Sequence, residues 1–229
     1  MERYAVIVAG GKGARMGTAL PKQFLPIGGE PILMRTIRRF LRYDDRMHIM
    51  LVLPREQRKI WAELCERHGF REGVTVIDGG ESRLQSVENG LSGVPDGVIV
   101  GIHDGVRPFV SSETLARCYA EAEERGSAVP VIPPVDSLRE EDETGSHAVD
   151  RSRYHLVQTP QVFRSSELKR AYAKVLALPE SEHRQFTDDA SVYEKAGGEV
   201  NLVEGNVENI KITTPIDLSV AEVLVKKDP

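Results

Sequence analysis

The run Ala5-Val6-Ile7-Val8-Ala9, stopping at Gly10-Gly11, constrains this chain more than any other segment. Consecutive apolar residues with no polar alternation read as a strand buried on both faces, the usual state in a parallel sheet. Gly10, Gly11 and Gly13 then let backbone N–H groups turn toward an anion without obstruction by Cβ. The segment runs on through Lys12, Arg15 and Lys22 with no Asp or Glu between Arg3 and Glu30, although the whole chain carries a formal net charge of −5. A basic, glycine-rich loop at the end of a buried strand suits a polyphosphate. Two familiar phosphate loops do not fit it. The Walker spacing needs Gly-Lys-Ser/Thr, and here Gly13 is followed by Ala14-Arg15. The dinucleotide fingerprint needs G-x-G-x-x-G, whereas Gly11, Gly13 and Gly17 give one residue too many.

The remaining patterning supports an α/β chain. Strand-like runs fall at 5–9, 48–53, 74–77, 98–103 and 128–132, with helical patterns between them at 32–43, 56–68, 84–91 and 113–125. That alternation predicts right-handed crossovers and a Rossmann-like, mostly parallel twisted sheet with helices on both faces. Ligands of such sheets bind beyond the carboxyl ends of strands, which brings the first glycine loop and His103-Asp104-Gly105 over one site. After Pro133-Pro134 the rhythm breaks. The polar stretch 139–150 is too long for an ordinary connection and predicts a protruding hairpin, leaving near Val135 and returning at 154–157, with its tip at 140–145. Helices follow at 167–176 and 188–196, short strand-like runs at 200–203 and 210–213, and a last helix from Pro215.

At 229 residues the chain is long enough for one large domain or two small ones. The acidic balance argues against nonspecific nucleic-acid binding. No apolar run reaches the roughly 20 residues of a membrane span, and the N-terminus enters a strand without a signal-peptide pattern. Cys65 and Cys118 share no metal or CxxC spacing and read as packing residues of a reducing cytoplasm.

Taken together, AGGKGARMG with PKQF, DGGESRLQSV, HDGVRPFV, VDRSRYHLVQTPQVF, TDDASVYEKAG and VEGNVENIKIT resemble the 2-C-methyl-D-erythritol 4-phosphate cytidylyltransferases, in order from Ala5 to about Leu224. The resemblance implies transfer of CMP from CTP to methylerythritol phosphate in the non-mevalonate isoprenoid pathway, on a fold of the nucleotide-diphospho-sugar transferase type. It implies one domain over 1–229 with a dimerisation arm at about 134–158, and a cytoplasmic homodimer whose active site is shared. Arg15, Lys22 and Lys211 match the cations around the reacting phosphorus. Ala9, Gly10, Gly11, Gly80, Glu81 and Ser86 match positions that hold the nucleotide. Ser82, in the same segment, reads as a helix cap. Asp104 matches a carboxylate that holds Mg²⁺ and orients the acceptor. Arg107, Ser137, Arg151, Thr159 and Thr187 match positions that bind the acceptor. The chain departs from the family at Ser137, where many relatives have Thr, and at Pro134-Val135. Ribitol 5-phosphate cytidylyltransferases share AGG, PKQF, HDxVRPF and TPQ, another sugar-phosphate nucleotidyltransferase shares the first loop, and a silent nucleotide-binding module would lack the cations; these stand as alternatives.

Overall fold

The structure is a computed structural model that describes residues 1–10 and 20–227. It begins with β1 (Arg3–Val8) and a short β2 (Pro26–Ile27) and β3 (Glu30–Pro31) ribbon. The alternating part follows: α1 (Ile32–Tyr43), β4 (His48–Leu53), α2 (Arg58–His68), β5 (Val74–Asp78), α3 (Arg83–Ser92), β6 (Ile99–Asp104), α4 (Ser112–Arg125) and β7 (Ser127–Ile132). Next come the paired β8 (Arg139–Asp142) and β9 (Gly145–Ala148), then β10 (Leu156–Val157) and β11 (Gln161–Arg164). The chain closes with α5 (Ser165–Leu176), α6 (Glu180–His183), α7 (Asp189–Lys195), β12 (Leu202–Glu204) and α8 (Pro215–Lys227).

Among the described residues the central sheet has eight strands in the order β10-β7-β11-β6-β1-β4-β5, with β12 on β7. The β1, β4, β5 and β6 pairings are parallel, and β11 lies antiparallel between β6 and β7. The two-residue period of each strand divides the core. Ala5, Ile7 and Ala9, with Ile49, Leu51 and Leu53, pack against Phe40, Trp61 and Leu115 on the face covered by α1, α2 and α4. Tyr4, Val6, Met50, Val52, Val100 and Ile102 face the other way, onto Leu84, Leu168 and Val192 of α3, α5 and α7. A third cluster, with Ile27, Ile32, Val106, Phe109, Ile212 and Ala221, seats α8 beside the carboxyl end of β6. Register sets the strand ends level: Val8 stands opposite both Val52 and Asp104, and Leu53 opposite Asp78.

Several expected elements coincide with those observed, and α1 and β4 match to the residue. Four departures have local causes. The helix expected from 56 starts as a 3-10 turn over Arg55–Gln57 behind Pro54, with α2 proper from Arg58. β11 is unforeseen: it is a four-residue insertion whose Val162 and Phe163 are fully buried, too short to show a period. α6 is likewise a single unforeseen turn. The strand expected at 210–213 does not form. Its backbone is occupied by loop bonds instead, Ile212 N–H to Val106 O at 3.0 Å and Thr213 N–H to Asp217 Oδ2 at 2.8 Å. The hairpin stands where expected, with both strands wholly exposed. Cys118 is buried and its burial pushes the thiol up to about 12, in keeping with a packing role. Among the described residues no helix is long and apolar enough to cross a membrane.

Candidate active site

A cavity of about 380 Å³ opens at the carboxyl ends of β1, β5 and β6. Its lining includes Ala9, Gly10, Lys22, Gly80, Glu81, Ser86, Asp104 and Lys211, which the sequence had placed in one site from four separated segments. Each arrives by a distinct local device.

Lys22 belongs to a 3-10 turn, Lys22–Phe24, entered through Pro21. The two residues after it anchor the turn. Phe24 is buried against Trp61, with ring centroids 6.4 Å apart. The Gln23 amide donates to Ala9 O at 2.7 Å and to Gln57 Oε1 at 2.6 Å, so the turn is held directly beneath the end of β1. Gln23 is a site residue that sequence reading passed over; a polar residue between a basic and an aromatic one gave no sign of burial.

The nucleotide segment folds back onto α3. Gly80 N–H donates to Ser86 Oγ at 3.1 Å and Glu81 N–H to Gln85 Oε1 at 2.9 Å. Ser82 caps the helix, its hydroxyl accepting from Gln85 N–H at 3.2 Å, as its position predicts. Gly80 is required here, since a Cβ would come within 2.4 Å of Gln85 Cβ. Gln85 is a second residue that the sequence reading missed.

Asp104 is the last residue of β6 and is 9% exposed. Lys211 Nζ reaches its Oδ2 at 2.9 Å and Arg107 Nε the same oxygen at 3.3 Å. Burial opposes ionisation of this carboxyl, but Lys211, Arg83 and Arg107 outweigh it and hold Asp104 well below the usual carboxylate range. Lys211 gets there by alternation. Ile212 is fully buried in the third core cluster and bonded to Val106, which turns the neighbouring Lys211 outward to the cavity. Arg107 also donates to Asn209 O at 2.7 Å, tying the segment before Lys211 to the segment after Asp104.

Behind Asp104 the hydrogen bonds form a directed chain. Asp104 N–H donates to Thr159 Oγ1 at 3.1 Å. His103 Nε2 lies 3.0 Å from Arg107 O, which can only accept, so Nε2 carries the proton and Nδ1 accepts from the Thr159 hydroxyl at 3.1 Å. Burial pushes this imidazole down to about 4, so it is neutral near pH 7. Thr159, matched to acceptor binding, is thus buried with its hydroxyl already engaged on both sides.

The other matched positions lie apart. Ser137 and Arg151 are exposed at the base of the hairpin, where Arg151 donates to Val135 O. Thr187 is exposed just ahead of α7. Gly11 and Arg15 fall outside the described residues, as do Lys12 and Gly13.

Among the described residues no group of three or more His, Cys, Asp and Glu could hold a metal. The donor set at Asp104 fits Mg²⁺ all the same: the carboxylate is ionised, its cation contacts fall on Oδ2, and magnesium is commonly held by one or two carboxylates with phosphate oxygens and water. The lining joins Lys22, Arg83 and Lys211 with Asp104 and Glu81 around backbone turns, an arrangement suited to a bound, highly charged phosphate chain.

Residues 4–227 match the family described as 2-C-methyl-D-erythritol 4-phosphate cytidylyltransferase. A protein of that name from Bacteroides fragilis is 58% identical, over 98% of this chain and 100% of its own. One from Geobacillus thermodenitrificans is 38% identical, over 98% of this chain and 97% of its own. Among solved structures, the 2-C-methyl-D-erythritol 4-phosphate cytidylyltransferase of Thermus thermophilus superposes with a TM-score of 0.77 at 31% identity, covering 99% of this chain and 100% of that one. A 4-diphosphocytidyl-2C-methyl-D-erythritol synthase from Anaerococcus prevotii gives 0.83 at 26%, covering 98% and 96%.

Proposed function

The chain belongs to the 2-C-methyl-D-erythritol 4-phosphate cytidylyltransferase family, and from that premise we propose how its own residues carry the reaction. The enzyme transfers CMP from CTP to methylerythritol 4-phosphate and releases pyrophosphate, a step of isoprenoid precursor synthesis. An acceptor phosphate oxygen bonds to the α-phosphorus as the bond from that phosphorus to the bridging oxygen of the β-phosphate breaks. A phosphate monoester is largely dianionic at neutral pH, so the attacking oxygen needs no general base. Catalysis is therefore positioning and charge stabilisation.

Lys22 and Lys211 supply cations to the cavity that Asp104 also lines, and Arg15 is assigned the same work from outside the described residues. Ala9, Gly10, Gly80, Glu81 and Ser86, with Gly11 of the preceding loop, hold the nucleotide, where fixed carbonyl and N–H groups can tell the cytosine amine from the uracil carbonyl. Asp104 would hold Mg²⁺, which when bound neutralises charge on the phosphate oxygens. Arg107 and Thr159 keep Asp104 in place through the contacts above, and Thr187, outside the cavity lining, is assigned to the acceptor. The observation that carries this assignment is the Lys211 to Asp104 contact at 2.9 Å, on the floor of a cavity that Lys22 also lines.

The homodimer belongs to the same proposal. Val135, Tyr154, Leu156 and Val157 are apolar and exposed beside the projecting hairpin, and Ser137 and Arg151 stand away from the cavity of their own chain. An arm crossing to a second copy would cover the first set and deliver the second to the partner's acceptor pocket.

The test is pyrophosphate release from CTP and Mg²⁺ with either methylerythritol 4-phosphate or ribitol 5-phosphate as acceptor. Turnover is expected with the first alone. Turnover with ribitol 5-phosphate alone would move the protein to the other cytidylyltransferase class, and none with either, in protein that binds CTP, would favour a silent nucleotide-binding module.

A further inference from the structure

Arg83 and Asp189 lie 106 positions apart and form a two-pronged ion pair, Nη1 to Oδ1 at 3.1 Å and Nη2 to Oδ2 at 2.6 Å. Arg83 is the first residue of α3, directly after the nucleotide turn, and lines the cavity. Asp189 is the first residue of α7, two residues after Thr187. Its carboxylate is wholly buried, and the Tyr172 hydroxyl donates to Oδ1 at 2.5 Å. Gln161 of β11 grips the same turn, donating to Asp188 Oδ2 at 2.9 Å and accepting from Ala190 N–H at 2.7 Å. The acceptor segment is thus held from one side by Gln161 of the sheet and from the other by Arg83 of α3 and Tyr172 of α5.

We propose that Arg83 and Asp189 are a positioning pair that ties the nucleotide turn to the acceptor segment and so sets how the acceptor is presented to the α-phosphorus. The inference rests on the cytidylyltransferase reading and adds residues to it. The guanidinium is suited to the task because its planar fork fixes both distance and angle to a carboxylate, which a lysine ammonium does not. It is not sealed away as a purely structural pair would be: Arg83 is 31% exposed, lines the cavity and acts by its charge on Asp104. The salt link therefore has one end among groups that meet the nucleotide and the other beside the residue matched to the acceptor.

The test is a double-mutant cycle in steady-state kinetics with Arg83→Lys, Asp189→Asn and the double variant, each substrate being varied against saturating partner. Each single change is expected to raise KM for methylerythritol 4-phosphate about tenfold, Asp189→Asn with KM for CTP within about twofold, and the double variant should be no worse than the poorer single one. Multiplying losses in the double variant, or unchanged kinetics with only a lower melting temperature, would overturn the proposal. Should the cycle variants fail to fold, Tyr172→Phe removes only the hydroxyl on Asp189; an acceptor KM raised about threefold supports the pair and an unchanged one rejects it. Wild-type protein that turns over neither acceptor would overturn the cytidylyltransferase reading and, with it, the role given to the pair.

Discussion

At the scale of single residues, the site depends on which charges its surroundings permit. Asp104 keeps its negative charge because Lys211, Arg83 and Arg107 offset its burial. His103, one residue earlier and fully buried, is kept neutral, with its protonated Nε2 on Arg107 O and its bare Nδ1 on the Thr159 hydroxyl. The consequence is a pH dependence of stability. The unfolded chain takes up a proton on this imidazole near pH 6.5, the folded one only near pH 4, so between those values the unfolded state binds more protons and acid favours it. Stability should fall by about 1.4 kcal/mol per pH unit across the window, on the order of 3 kcal/mol in all, while Asp104 stays ionised throughout. Denaturant titrations of wild type and His103→Gln at pH 7 and pH 4.5 check this. The variant should lack this part of the acid loss, and parallel curves would show that His103 is not its source. Asp104 was legible because HDG ends an apolar run at the carboxyl end of a strand, and Lys211 only through the family resemblance that NIKIT carries. His103, Gln23 and Gln85 were not, because nothing in the chain says that a polar side chain will find its partner inside.

At the scale of elements, α3 shows how closely a helix can approach the sheet and why. Gly90 sits on its buried face, where an added Cβ would lie 2.4 Å from Val6 Cγ1 and 2.9 Å from Val52 Cγ2. In a helix a glycine is ordinarily a cost of up to about 1 kcal/mol against alanine. Here that ranking should invert. Gly90→Ala is expected to destabilise by roughly 1–3 kcal/mol through overpacking against β1 and β4, measured as a lower denaturation midpoint at unchanged slope. A stabilised variant would mean that α3 can move off the sheet. The long periodic elements were legible because each buries a continuous face, as α1 does with Ile32, Leu33, Met34, Ile37 and Phe40. β11 was not, since its four residues take their place only from the edges that β6 and β7 offer. The run at 210–213 has strand-like composition, yet its donors are taken by Val106 O and Asp217 before any ladder can form.

At the scale of the whole molecule, the hairpin is the part least explained by the rest of its own chain. Both its strands are exposed, and the apolar Val135, Tyr154, Leu156 and Val157 lie open at its base. A chain lacking 139–150 is expected to sediment as a monomer and to lose turnover with its nucleotide cavity intact, because Ser137 and Arg151 could no longer be exchanged between copies; a dimer that persists would place the interface elsewhere. By itself the sequence determined the alternation of strands and helices from β1 to β7, the two-faced sheet and the projecting hairpin. These follow from hydrophobic period, glycine placement and local charge, which act over a few residues. The tertiary structure alone decided that Asp104 meets Lys211, that Arg83 meets Asp189, and that β11 parts β6 from β7. Those contacts join segments far apart in the chain, and they exist only once burial has brought polar groups together and left each needing a partner.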